Sequence, residues 1–245
     1  MFRHRGKNRT YSHNLRLASM LSFVAGIVNV CGFLSMKVLT TNVTGHFANF
    51  SDEIFKGNDA IGITYLGFIL SFLLGAFVSG IIVESISIKN VIISYSLPLI
   101  IEVSLLSLVA LSDLPIIGFE RSVNNIMACI LLFAMGLQNA LVTKVSQSVV
   151  RTTHLTGLFT DLGIELSQFV YYNTALRNNK LRKSILLKLA IIICFFLGCV
   201  SGGFGYEKYG LKALFIAIVI LMVALFYDII LLHFYYLKRK IRIKP

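Results

Sequence analysis

Six stretches of this chain are long and nearly free of charge, and this limits its folding more than any other feature. Residues 17–36, 61–83, 125–143 and 189–206 contain no Asp, Glu, Lys or Arg. Residues 91–112 contain one acid, Glu102, and residues 213–234 contain one, Asp228. At 1.5 Å per residue, about 20 apolar residues in a helix cross the hydrocarbon core of a bilayer. Backbone in lipid must satisfy its own hydrogen bonds, which selects helices for runs of this length. Hydrophobic residues make up 56% of the chain and charged residues 14%, against about 25% charged in soluble domains. A soluble all-helical fold would need a polar face on each run, and none is visible. The expected fold class is all-α: a polytopic helical membrane protein with six transmembrane helices, forming one membrane domain over residues 1–245.

The net charge of +12 raises the question of a nucleic-acid partner, but the distribution of charge answers it differently. With six spans and the N-terminus inside, the basic residues left outside are Lys37, Lys56, Arg121, Lys208 and Lys212. All the others fall on inner segments, including a basic arm (1–16) and a basic tail (238–245). This is the positive-inside pattern, and it places both termini in the cytoplasm. The expected partners are the bilayer itself and anionic inner-leaflet lipids, where each surface charge contributes about 1 kcal/mol, with no nucleic acid. The first apolar run is long and ends at Lys37 without a small-residue cleavage site, so it reads as a retained span.

The chain also says nearly the same thing twice. G-I-V-N (Gly26 to Asn29) is followed fifteen residues later by Thr44 and Gly45; G-L-Q-N (Gly136 to Asn139) is followed seventeen residues later by Thr156 and Gly157. F-L-L-G-A-F-V-S-G (Phe72 to Gly80) returns one residue shorter as F-F-L-G-C-V-S-G (Phe195 to Gly202). The offsets are 110, 112 and 122 residues. Repeat one therefore runs from about 15 to 112 and repeat two from about 124 to 237, three spans each. An odd number of spans inverts the second copy, a layout found in many transporters.

In each repeat a polar connector follows the first span, and each connector has a helical apolar pattern after its Thr-Gly pair. Val43, Phe47, Phe50 and Ile54 form the stripe in the first; Leu155, Phe159, Leu162, Leu166 and Phe169 form it in the second. Two arrangements fit: an amphipathic helix flat on the bilayer, or a helix dipping into the protein with its N-terminal end at a central cavity. Thr44 or Thr156 would be the N-cap, and Gly45 or Gly157 would let backbone or ligand approach closely.

Asn29, Gln138 and Asn139 lie in the later parts of spans 1 and 4. Buried amides need partners there, either as links between helices or as the lining of a solute path. With Thr44, Gly45, His46, Thr156 and Gly157 they make the expected substrate-binding set. Glu102, near the middle of span 3, is a charge-bearing group at a costly depth and marks a proton-coupling position; Asp228 is its counterpart on span 6. Arg151-Thr152-Thr153-His154 combines a cation, hydroxyls and an imidazole at a helix start, so Arg151 is the expected anion contact. Gly75, Ala76, Ser79 and Gly80, and Gly198, Ser201, Gly202 and Gly203, form small-residue faces suited to close helix packing. Cys31, Cys129, Cys194 and Cys199 lie inside apolar runs without metal spacing and read as packing residues. No metal-ligand cluster, phosphate loop or catalytic motif is present, so no cofactor and no enzymatic activity are expected.

The motifs A-G-I-V-N-V-C-G-F-L (Ala25 to Leu34), N-V-T-G-H (Asn42 to His46), M-G-L-Q-N-A (Met135 to Ala140) and R-T-T-H-L-T-G-L-F-T-D-L (Arg151 to Leu162) resemble the YoaK-like family of small bacterial membrane proteins. The resemblance covers about Leu17 to Leu237. It implies an inner-membrane protein of about six helices and supplies no substrate. The family usually has an aspartate where Asn29 stands, and T-G-N where this chain has Thr44, Gly45 and His46. Two functions fit: a small-solute permease with its site between inverted repeats, working as a homodimer because six spans are few for a carrier, or a non-transporting scaffold, assembly factor or sensor.

Overall fold

The computed structural model describes residues 10–87, 91–112, 121–146, 150–171 and 175–226. Seven α-helices follow in order: α1 (Tyr11–Met36), α2 (Val43–Phe55), α3 (Asp59–Ser87), α4 (Val91–Ser112), α5 (Arg121–Ser146), α6 (Leu155–Tyr171) and α7 (Ala175–Tyr209). A 3-10 turn at Gly210–Ala213 follows α7, and residues 214–226 are helical again. No strand occurs among the described residues.

Among the described residues, five helical stretches are long and apolar enough to cross a membrane, the last running from Asn179 to Phe226 through the 3-10 turn. That last stretch is not one rod. Gly210 sits at a φ of 61°, which a glycine adopts without strain. A Cβ placed on Gly205 would lie 3.4 Å from Ile216 Cδ1, whereas eleven residues of straight helix would separate them by roughly 16 Å. The chain therefore turns back at Gly210. The sixth expected span (213–234) begins here, and its part beyond Phe226 lies outside the described residues, as do the tail and Asp228.

The outward faces fit a hydrocarbon surround. On α3, Ile63, Leu66, Leu70, Leu74, Phe77 and Ile81 are exposed at helical spacing. Such a stripe is large for a protein surface in water. Helix α7, at 35 residues, would be about 52 Å long, well beyond the roughly 30 Å hydrocarbon core. Its early turns carry exposed Lys180, Arg182 and Lys183, so the excess length is basic and polar. Pro98 lies inside α4, a position that soluble helices rarely tolerate and membrane helices do.

Glycines decide which helices touch. A Cβ on Gly26 of α1 would overlap the backbone oxygen of Phe195 on α7, and one on Gly198 would overlap that of Phe23. The same reciprocal arrangement joins Gly75 of α3 to Phe133 of α5, and Gly136 of α5 to Phe72 of α3. The most extensive packing in the molecule is accordingly α1 on α7 and α3 on α5. The small-residue faces expected from sequence thus pack as anticipated, except at Gly80, which faces open space. The correspondence between the halves extends to burial. Residues 18–32 and 128–142 are buried or half-buried in the same order at every position.

The connector helices α2 and α6 lie against α3 and α7. Of the expected stripes, Phe47, Ile54, Phe159, Leu166 and Phe169 are exposed, while Leu162 is buried and Ile54 also reaches Gly62 of α3. His46 is the buried residue of α2, and Leu158 and Leu162 are those of α6. In α6 the reason is ionic. Glu165 Oε1 accepts hydrogen bonds from Lys188 Nζ (2.6 Å) and Ser184 Oγ (2.7 Å) of α7. This turns the Leu158, Leu162, Glu165 side inward. The four cysteines are free thiols.

The crossings can be tested directly. Gly136→Val should lower the unfolding midpoint of the detergent-solubilised protein by the equivalent of about 1–3 kcal/mol or more, the usual cost of overpacking. Gly80→Ala, which meets no neighbour, should leave it unchanged. Equal effects of the two would show that the crossings do not limit stability.

Candidate functional site

The last turns of α1 and α5 each carry an asparagine that holds the segment following its own helix. Asn29 Oδ1 accepts from Thr41 N (3.2 Å) and Thr41 Oγ1 (2.9 Å). Asn139 Oδ1 accepts from Thr153 Oγ1 (2.8 Å) and Thr152 Oγ1 (3.3 Å). Thr41 and Thr153 occupy corresponding positions twelve and fourteen residues on. Just before them Thr40 and Thr152 are both fully buried. The two G-x-x-N…T-G phrases are therefore one local device used twice: an amide folds the chain back against the helix it has just left.

The fold-back leads into the connector helices, whose starts differ from expectation. The N-cap of α2 is Asn42, whose Oδ1 accepts from Gly45 N at 3.0 Å, the standard way to satisfy a free donor in the first turn. Thr44 and Thr156 are second residues of α2 and α6, not caps. The glycines then have a clear purpose. A Cβ on Gly45 would crowd the Asn42 side chain, and one on Gly157 would overlap the His154 ring. Each Thr-Gly glycine makes room for the side chain three residues before it.

These elements enclose a cavity of about 900 Å³. Its wall is built from matched pairs. Asn29 and Asn139 line it, as do Thr41 and Thr153, and Thr44 and Thr156. Phe72 and Phe195, the residues whose backbone oxygens face Gly136 and Gly26, supply apolar wall. At two matched places the residues differ in kind, and Gly45, Ala48 and Thr143 line the cavity without their counterparts. Leu39 in the first half stands against Arg151 in the second, and Asn42 against His154. Arg151 is exposed, and Gly45 also reaches the cavity.

Four expected site residues are elsewhere. Gln138 is buried and its Nε2 donates to Leu21 O at 2.8 Å; it links α5 to α1 and does not line the cavity. Gly157 lies behind His154 and is also outside the lining. His46 points away, toward α3, with its ring 5.5 Å from that of Phe68 and 6.2 Å from that of Tyr65. A carbonyl only accepts, so the 2.8 Å contact between His46 Nε2 and Leu39 O fixes the proton on Nε2. Nδ1 is then a bare acceptor, buried without a partner. Burial pushes the His46 pKa below the ordinary value, and the bond to Leu39 opposes this less strongly. Glu102 is fully buried on α4 with neither carboxyl oxygen partnered, and it too is outside the cavity. Thr41, Asn42, Phe72 and Phe195 are wall residues not among the expected site residues, whereas Thr153 and His154 stand in the stretch singled out with Arg151. The 112-residue offset pairs Thr41 with Thr153 and so was a usable signal. The described residues contain no group of three metal-ligating side chains.

A family model described as a protein of unknown function matches residues 17–227, which include both halves of the cavity. No curated protein and no solved structure matches the chain.

His46 is expected to make the fold acid-sensitive. Its folded-state pKa lies below the usual histidine value, so the unfolded chain binds the extra proton first. Stability should be complete above about pH 6.5 and should fall as pH drops below it. His46→Phe, which removes the titrating ring from between Tyr65 and Phe68, should flatten that acid-side loss in thermal unfolding between about pH 7.5 and pH 5. An unchanged slope would assign the acid sensitivity to another group.

Proposed function

The chain belongs to the DUF1275 family, and we propose that it is a small-solute permease of a bacterial inner membrane, YoaK-like, whose site is the cavity between two inverted three-span repeats. One observation carries this reading: the cavity wall is assembled from matched residues of both halves, Asn29 with Asn139, Thr41 with Thr153, Thr44 with Thr156 and Phe72 with Phe195. A site shared between inverted repeats can open to one side or the other by rocking one repeat against its partner. The reciprocal glycine crossings support the same reading, because backbone-to-backbone contact leaves few interlocked side chains to obstruct small rotations. Under the positive-inside orientation α2 starts near the outer face and α6 near the inner face. The protein works as a homodimer, its basic inner segments lie on anionic lipid, and it carries out no covalent chemistry. Glu102, the buried acid outside the cavity, is the proton-coupling residue in this scheme.

Labelling with an impermeant maleimide tests the alternation, in a background where the four native cysteines are replaced by serine or alanine. Thr44→Cys should react from the outside and Thr156→Cys from the inside, and conditions that raise one rate should lower the other. Simultaneous full reaction of both would exclude alternating access and favour a scaffold or sensor. In proteoliposomes, Asn29→Ala with Asn139→Ala should abolish solute flux while costing about 1 kcal/mol of stability per lost contact. Loss of stability with flux unchanged would mean that the amides serve the fold alone.

A further inference from the structure

The cavity wall is matched at Asn29 and Asn139, Thr41 and Thr153, Thr44 and Thr156, and Phe72 and Phe195, but not in charge. Among the described residues that line it none is Asp or Glu, and Arg151 is the one Lys or Arg. Arg151 makes no ion pair or hydrogen bond with another described residue; the ion pairs there are Lys56 with Asp52 and Glu53, Lys144 with Glu84, and Lys188 with Glu165. The position that matches it in the first half is Leu39.

The two paired asparagine amides are biased in the same direction. Asn29 and Asn139 spend their Oδ1 acceptors on Thr41, Thr152 and Thr153. Their Nδ2 groups donate to no other described residue. The cavity thus presents unspent N–H donors and a guanidinium, while the amide acceptors are occupied. The threonine hydroxyls can also accept, so the bias rests on the amide N–H groups and on Arg151, and a solute that accepts hydrogen bonds and carries negative charge matches them. Phe72, Phe195 and Leu39 add apolar surface for which a small inorganic anion has no use. Charge in one half and a leucine at the matching place in the other favour a ligand with unlike ends.

Building on the permease reading above, we propose that the cavity binds a small organic monocarboxylate in one orientation, its carboxylate on Arg151 and its apolar body against Phe72, Phe195 and Leu39. The planar guanidinium can take both carboxylate oxygens at once, which fixes the carboxylate end. The single cation sets the preference for one carboxylate over two.

Ligand stabilisation of the detergent-solubilised full chain measures this, because the rise in unfolding midpoint follows ligand concentration over affinity. Benzoate should stabilise the protein in a concentration-dependent way, benzamide of the same shape about tenfold more weakly, and benzylamine not at all. Arg151→Gln should bring benzoate down to the level of benzamide while leaving benzamide unaffected. Leu39→Arg places a second guanidinium at the matching position and should shift the preference from benzoate to the dicarboxylate terephthalate, a gain that misfolding cannot mimic. Benzamide binding as well as benzoate, or benzoate binding untouched by Arg151→Gln, would overturn the proposal. So would a Leu39→Arg protein that folds and still prefers benzoate. Flux in proteoliposomes separates the two readings. Transport of neutral solutes independent of Arg151 would overturn this assignment and leave the permease standing; benzoate binding without flux of any kind would do the reverse.

Discussion

Everything in this molecule depends on four glycines that let backbones meet. Lipid tails are as apolar as leucine, so apolar side chains gain little by leaving lipid for one another, and close packing must supply the attraction. Gly26 and Gly198 bring α1 against α7; Gly75 and Gly136 bring α3 against α5. In both crossings the carbonyl that receives the glycine belongs to a phenylalanine near the partner glycine. Two of these, Phe72 and Phe195, also line the cavity. The contact that holds the helices together therefore also sets the position of the cavity wall, and a change in crossing angle would move that wall.

The crossings also explain a pairing that the order of the chain does not suggest. Neighbours in sequence usually pack together, yet α1 makes its largest contact with α7 and α5 with α3. Each half lends its first long helix to the other half. Neither half completes its side of the cavity alone, since Phe195 reaches it from the helix that packs on α1 and Phe72 from the helix that packs on α5. An exchanged arrangement of this kind couples the halves mechanically through backbone contact instead of through a hinge.

Much of this was legible in the sequence for a physical reason: lipid leaves few alternatives. Charge-free length announced the helices, and G-x-x-N with T-G marked the fold-back and the helix starts that build the cavity. What the sequence left open was side-chain direction. The stripe Val43, Phe47, Phe50 and Ile54 had the right period, but in a membrane setting an apolar stripe has two acceptable destinations, core and lipid, and periodicity does not separate them. The decision went to His46, which has a carbonyl to meet at Leu39, and to Glu165, which has Lys188. Gln138 was misjudged for a related reason. An amide beside a matched asparagine looks like part of its site, yet its Nε2 faces Leu21 O on the neighbouring helix. Thr44 and Thr156 were misplaced as caps because the capping residue, Asn42, stands two positions earlier, and Gly45 records the presence of its side chain.

The two departures from the resembled family now separate. Position 46, where the resemblance implies an amide, lies outside the cavity, in the seam between α2 and α3, where His46 answers to Leu39, Tyr65 and Phe68. At position 29 the change lies within it. The aspartate that the resemblance leads one to expect would accept the same two bonds from Thr41 that Asn29 accepts, so the fold-back would survive either residue. The remaining atom differs: a carboxylate brings a second oxygen and a negative charge to the wall, whereas asparagine brings an N–H donor. With a carboxylate there, the charge of Arg151 would be answered within the protein across the same cavity. With Asn29 it is not. Asparagine in place of the aspartate that the resemblance implies would keep the geometry and change what the first half offers a solute, from an acceptor to a donor.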